Sequence, residues 1–340
     1  MTPERRPIAV VVVFAAAALV APLLAPRDPS VSLRDHVHAP PTPIRVRDSH
    51  GQWRPPFFYP QRLLNRLERR YREDRDAPAD LVWLRRGLVA EDADADAPFL
   101  LLGADGSGRD VWARLLAGTR TSLGIAFLAV GGALGLGLIA GGIAGAAGGR
   151  LDAALMRFMD VLVVLPALYV VVALRAALPL VLPPATVALL VAVILALVGA
   201  PWFARGVRAI LAAERTREYV EAARAIGASR TRVLIRHLLP ATRGFVLTQA
   251  VLLLPAFVVA EATLSFIGLG LPDTLPSWGT ALQEAADVTA LAAFPWLLAP
   301  AAAIVLVTLA ANLAVGGAAD APMSAPVPTH EPPRPASAVR

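Results

Sequence analysis

The sequence predicts an all-α integral membrane protein, and three observations carry that reading. Hydrophobic residues make up 56% of the 340 positions and mean hydropathy is +0.58. Charged residues make up only 17%, against about 25% in soluble domains. The apolar residues are also gathered into about six segments, each near the ~20 residues that a helix needs to cross ~30 Å of hydrocarbon.

Taken in order, the first segment is Ile8 to Ala25, entered after Arg5 and Arg6. Two arginines, an apolar core and small residues also fit a cleaved signal peptide; an uncleaved span is the preferred reading. The second segment lies between Arg120 and Arg150 and carries no charge. Its glycines recur every fourth residue, at Gly131 and Gly135 and again at Gly137, Gly141, Gly145 and Gly149. That spacing lets helix backbones approach closely, which marks a helix buried among helices. The third segment runs from about Leu155 to Leu174 and is ended by Arg175, which belongs at the water interface because a mid-bilayer arginine costs roughly 2.5–3.5 kcal/mol. The fourth lies between Pro184 and Ala204, the fifth begins after Arg243, and the sixth spans roughly Phe294 to Leu313.

Orientation follows from arginine in the short loops, which stays cytoplasmic. The stretch from Arg205 to Arg243 holds nine arginines against Glu214, Glu218 and Glu221. It is therefore assigned to the cytoplasm, as are both termini. The long loop after the first span falls outside; loops beyond about 60 residues translocate largely regardless of charge. Within it, "QRLLNRLERRYREDR" places Leu63, Leu64, Leu67 and Tyr71 on one helical face, with Glu68–Arg72 and Arg69–Glu73 spaced to pair. An amphipathic external helix is expected there. The last 20 residues hold six prolines and read as a disordered tail.

Several chemistries are excluded or weak. There is no cysteine, and all 32 basic residues are arginine. A phosphate-cradling P-loop needs a lysine, so the chain carries no ordinary ATPase site, and "GADGSGRD" is not a nucleotide cradle. His36, His38 and His50, with Asp35 and Asp48 nearby, are read as loop residues rather than metal ligands. The chain is expected to be no enzyme and to bind no cofactor, metal or nucleic acid. Glu261, flanked by apolar residues near the outer end of the fifth span, is costly unless paired or wet. Either it lines a translocation path with Ser265, or it is a buried partner for an arginine or backbone group.

The basic stretch reads as helix, bend, helix. A helix-favouring run begins near Thr216, Gly227 interrupts it, and a second run from Ser229 to Leu239 is ended by Pro240. Ala222, Ala223 and Ala225 offer a surface of little bulk to a partner's groove. Docking to a protein and contact with anionic lipid both remain open on physical grounds.

The residues themselves carry a resemblance. "EAARAIG", nine residues, then "HLLP" resembles the EAA motif of ABC importer permeases, matching at Glu221, Ala222, Ala223, Gly227, Leu239 and Pro240. His237 replaces the commoner isoleucine, as is frequent in the peptide-importing branch. "LLGADGSGRDVWARLLAGTRTSL" is similar to the segment before the second span of dipeptide and oligopeptide permeases, with Gly103, Asp105, Gly108, Arg109 and Asp110 matching and Ala104 in place of threonine. "EATLSFIGLGLPDTLPSWG", Glu261 to Gly279, is similar to the segment that ends the fifth span in the same group, and Asn312, Leu313 and Gly316 echo its last span.

The chain is thus identified as resembling the C-type subunit of the dipeptide/oligopeptide/nickel importers. The resemblance implies a type I importer permease of about six transmembrane helices whose basic loop docks on separate ATPase subunits carrying ATP and Mg. It also implies a second permease subunit, an extracytoplasmic peptide-binding protein, and a location in the bacterial inner membrane. The expected organisation is an N-terminal transmembrane helix over 1–26, an extracytoplasmic loop over 27–120, a transmembrane domain over 121–320 with its coupling loop at 205–243, and the tail over 321–340. Peptide import is the expected function. Import of nickel or another small solute by the same architecture is the alternative, and a gradient-driven secondary transporter is the weaker one, since only Glu261 offers it an intramembrane charge.

Overall fold

A computed structural model describes residues 5–25, 27–48, 52–66, 68–82, 91–92, 98–164, 169–170, 173 and 182–319. The second half of the expected third span with Arg175, His50, Leu67 and the tail lie outside the described residues.

The glycine-rich segment forms one uninterrupted helix, α2 (Val111–Ala147), of 37 residues. At 1.5 Å per residue it is about 55 Å long, well beyond the hydrocarbon thickness. It starts nine residues before Arg120 because Asp110 caps it, accepting bonds from the backbone N–H of Trp112 (2.9 Å) and Ala113 (3.3 Å). Gly148, at φ +67°, closes its other end. Three of the spaced glycines face helix α4 (Pro184–Glu214). A Cβ on Gly137 would stand 2.6 Å from the Phe203 ring and 2.9 Å from the Ala200 carbonyl; one on Gly145 would stand 2.7 Å from Leu211 Cβ and 2.9 Å from the Arg208 carbonyl. One on Gly141 would overlap the Ala204 carbonyl. Gly131, Gly135 and Gly149 face open space, so half of the expected spacing is used within this chain.

Among the described residues four helices are long and apolar enough to cross a membrane: Val111–Ala147, Pro184–Glu214, the run Arg230–Phe266, and Pro295–Ala314. Of the other two expected spans, the described residues show α1 (Arg5–Val20) over the first and α3 (Gly149–Val164) over the start of the third. Helix α3 leans on α4 through ion pairs. Asp152 meets Arg208 at 2.6 Å and Asp160 meets Arg205 at 2.6 Å. Helix α4 continues through Glu214, so Arg205 and Arg208 belong to it rather than to a loop. One apolar core joins α1 (Phe14, Ala18), α2, α4, α7 (Arg243–Phe266) and α10 (Ala299–Ala319).

The long loop between α1 and α2 corrects the sequence reading. Among the described residues of 61–75 no helix forms. Instead β3 (Gln61–Asn65) and β4 (Arg70–Glu73) pair as an antiparallel hairpin in which Leu63 faces Tyr71. Apolar residues eight positions apart meet across a hairpin as readily as along a helix, and the turn is made by Arg69 at φ +49°. The expected i,i+4 pairs give way to Arg45–Glu73 (2.9 Å) and Arg70–Glu68 (3.0 Å). Strands β1 (Arg45–Arg47), β2 (Trp53–Phe58), β5 (Ala79–Val82) and β6 (Glu91–Asp92) form a second, four-stranded sheet. Phe58, Leu81 and Phe99 make a small core beside it.

Gly141→Val would drive a branched side chain into the α4 backbone. We expect a loss of about 1–3 kcal/mol or more, read as a lower unfolding temperature of the detergent-solubilised chain, whereas Gly135→Ala, whose Cβ meets nothing, should leave it unchanged or raise it slightly, since mid-helix glycine is about 0.5–1 kcal/mol worse than alanine.

Candidate functional site

The basic stretch leaves α4 at Arg215 and forms α5 (Glu218–Ala225), a bend, and α6 (Arg230–Val233). Gly227 makes the bend at φ +89°, a conformation open to glycine at no steric cost. Ser229 caps α6, its hydroxyl accepting from the Arg232 N–H at 3.3 Å. Pro240 does not end the second run. The backbone widens to a π-turn over Leu234–Leu238 and tightens to a 3₁₀ turn over Leu239–Thr242, then enters α7 directly. Proline removes one helical donor and crowds the carbonyl four residues back. A local π-bulge absorbs that defect without breaking the helix.

This elbow is bolted to the body by apolar contacts. Val220 of α5, Val233 of α6 and Leu238 pack with Phe203, Val207 and Leu211 of α4. Phe203 stacks on Phe245 of α7 at 5.4 Å with planes 2° apart. Of the matched positions, Glu221, Ala222 and Gly227 are exposed, His237, Leu239 and Pro240 are half-buried, and Ala223 is buried. Ala223 therefore faces the body, and the low-bulk surface is made by Ala222 and Ala225 alone. Tyr219 lies 6.3 Å from the His237 ring and donates to Glu214 at 2.8 Å. Ile226, which sequence reasoning passed over, is 87% exposed at the tip of α5. An isoleucine between the alanines and the bend glycine was the available signal.

On the opposite side, "GADGSGRD" forms a polar knot. Asp105 accepts from the N–H groups of Ser107 (2.9 Å) and Arg109 (2.8 Å) and from Arg109 Nε (2.8 Å). Arg109 and Arg114 both reach Asp273, in the loop after α7, at 2.5 and 2.7 Å. Burial raises the Asp273 carboxyl, but the two guanidiniums outweigh it and hold the group below the usual range. Asp110 is pushed up to about 6 by burial, against the lowering effect of the Ala113 and Trp112 N–H groups. Gly103 (φ +74°) and Gly108 (φ +73°) turn the backbone against the Ala39 and Leu33 carbonyls. His38, 4% exposed, stacks on Phe294 at 4.0 Å and pairs with Glu284, whose other oxygen accepts from the Gly106 N–H at 2.8 Å. These groups border a polar cavity of about 360 Å³.

Glu261 is 0% exposed, as are Ser122 and Ser265. Its two oxygens accept from the hydroxyls of Ser122 on α2 and Ser265 on α7, each at 2.8 Å. Ser122 Oγ in turn accepts from the Trp278 N–H (3.1 Å) at the start of α8 (Trp278–Leu282), and Ser265 Oγ from the Leu271 N–H (3.1 Å). Glu261 and Ser265 thus sit inside a packed junction of this chain, with serine hydroxyls on the carboxylate where the buried-partner reading expected an arginine or backbone group.

A bundle of apolar helices, a basic elbow between two of its spans and a polar knot at the other end define a polytopic membrane protein. Residues 134–321 match the family described as binding-protein-dependent transport system inner membrane component, and the chain belongs to that family. It is 35% identical over 222 residues to the oligopeptide transport system permease protein OppC of Bacillus subtilis, covering 64% of this chain and 70% of that one. A putative peptide transport system permease protein of Brucella suis is 39% identical over 221 residues (65% and 72%), and the dipeptide transport system permease protein DppC of Alkalihalophilus pseudofirmus 34% over 220 (64% and 70%). These relatives are named as transport permeases, not enzymes. The MetNI methionine ABC transporter, inward facing, aligns with 60% of this chain and 95% of its own at 17% identity and a TM-score of 0.43, too distant to bear on function.

Glu261→Ala would strip two buried hydroxyls of their acceptor, at about 1–3 kcal/mol for each group left unsatisfied. Glu261→Gln keeps an acceptor and a donor in place. We expect the alanine variant to melt earlier and the glutamine variant to melt and transport close to wild type. A glutamine variant that is stable but transport-dead would instead assign the carboxylate to the path.

Proposed function

We propose that this chain is one of two membrane subunits of an ATP-driven importer of peptides, seated in the bacterial inner membrane with both termini and the elbow in the cytoplasm. The observation that carries the reading is the elbow: a short helix clamped to α4 and α7 on one side, with Glu221, Ala222, Ala225 and Ile226 bare on the other.

A separate ATPase subunit docks on that bare face. Ile226 fills an apolar pocket of the ATPase, Ala222 and Ala225 allow close approach, and Glu221 meets a basic group. When two ATPase subunits close on ATP, they displace the elbows. Val220, Val233 and Leu238 pass the displacement to α4, and the Phe203–Phe245 stack shares it with α7. Because α2 is locked to α4 at Gly137, Gly141 and Gly145, the three long helices move together, and the path between this subunit and a second, different permease subunit opens outward. An external binding protein delivers the peptide there. ATP and Mg are held by the ATPase subunits. The coverage of peptide permeases by this chain supports peptide as cargo.

Two measurements test this. In vesicles holding the assembled complex, Glu221→Arg should cut ATP-dependent peptide uptake at least tenfold with normal insertion; unchanged uptake would remove the elbow from coupling. The chain has no cysteine, so Ile226→Cys is a single label. It should react with a membrane-impermeant maleimide only in inside-out vesicles stripped of the ATPase subunits, and reaction from the outside of intact cells would overturn the orientation.

A further inference from the structure

Between the end of α2 and the elbow lies a cavity of about 730 Å³, within the roughly 300–1,000 Å³ typical of small-molecule sites. We propose that it holds an anionic phospholipid, headgroup and first acyl carbons together. Three arginines border it: Arg215 from the turn after α4, Arg224 of α5 and Arg230 of α6, against the single acid Glu221. Among the described residues none of these three lies within ion-pair distance of an acid. Arg205, Arg208 and Arg217 each have a carboxylate, on Asp160, Asp152 and Glu214, whereas Arg232, Arg236 and Arg243, like the three at the cavity, have none within ion-pair distance among the described residues. What sets Arg215, Arg224 and Arg230 apart is that they converge on one cavity.

The opposite wall is apolar. Ile143 and Ala146 of α2 and Leu234 and Leu238 of the π-turn form it, and Ile143 is 41% exposed. The cavity therefore asks for an anion joined to a hydrocarbon. Inorganic phosphate would satisfy the arginines and leave the wall wet. An acidic protein segment would do the same. A lipid with a net negative headgroup answers both demands. Arginine stems lie along apolar surface while their guanidiniums meet an anion, and each basic group near an anionic leaflet adds about 1 kcal/mol. The Proposed function enters only in naming the cytoplasmic leaflet as the source.

The test is native mass spectrometry of the full-length chain released from detergent with equal phosphatidylglycerol and phosphatidylcholine. Phosphatidylglycerol should be retained preferentially. The triple variant Arg215→Gln, Arg224→Gln, Arg230→Gln should weaken that retention roughly a hundredfold at low salt, and each single variant about fivefold, while Arg217→Gln changes nothing. The single variants carry the test if the triple one fails to fold. Equal retention of the two lipids, or single variants that retain phosphatidylglycerol like wild type, would overturn the proposal. Displacement of the lipid by millimolar inorganic phosphate would reassign the cavity to a free anion. Displacement by the purified ATPase subunit with lipid in excess would reassign it to the protein interface; either result overturns the lipid reading. The primary readout needs neither transport nor ATP, so its failure leaves the import reading standing.

Discussion

The contact between α2 and α4 is the constraint on which the rest depends. In a bilayer, lipid tails are as apolar as leucine, so burial gives little drive for two helices to associate. What remains is close packing, and that needs backbones that can touch. Gly137, Gly141 and Gly145 supply a groove, and Ala200, Ala204 and the Arg208 carbonyl fill it. Outside the groove, Ala133 packs beside Gly199 and Gly132 beside Ala196, continuing the seam. Beyond the seam the two helices diverge: the start of α2 leads to the polar knot and the end of α4 to the elbow.

Polar groups finish what the seam begins. At the outer end, Arg114, 3% exposed, would be expensive without partners. Asp273 at 2.7 Å, with Asp105 further off at 3.7 Å, supplies them. The same carboxylate holds Arg109, so one aspartate in the loop after α7 anchors the start of α2. A little deeper, Glu261 and its serines tie α2, α7 and α8 through bonds that leave neither carboxylate oxygen unpaired. Cross-helix polar junctions of this kind specify register, because sliding by one residue would break them all at once. The segment before β1 rests on this frame through His38 and through the Leu33 and Ala39 backbone.

The elbow illustrates a different economy. Its inner face is apolar and continuous with the α4–α7 core, while its outer face combines alanines, one acid and one bare isoleucine. The inner face fixes the elbow to the body. The π-turn at Leu234–Leu238 lets the chain pass Pro240 without losing helical continuity into α7.

The sequence alone determined the helical class, the existence of the spans, the glycine seam and the elbow with its bend, because each is written locally. Apolar run length, a period of four and a glycine between two helix-favouring runs are all short-range signals. Tertiary structure alone decided which glycines of the spaced set are used, since Gly131 and Gly135 satisfy the same spacing as Gly137 and Gly141 yet meet nothing in this chain. It also decided that "QRLLNRLERRYREDR" is a hairpin: positions eight apart align both along a helix and across two paired strands, and only the neighbouring sheet distinguishes them. Ala223 turned inward because Val220 fixed the rotation of α5, a choice made by α4. Glu261 found Ser122 from 139 residues away. Partners so distant in sequence leave no periodic trace, so its burial was settled only when α2, α7 and α8 came together.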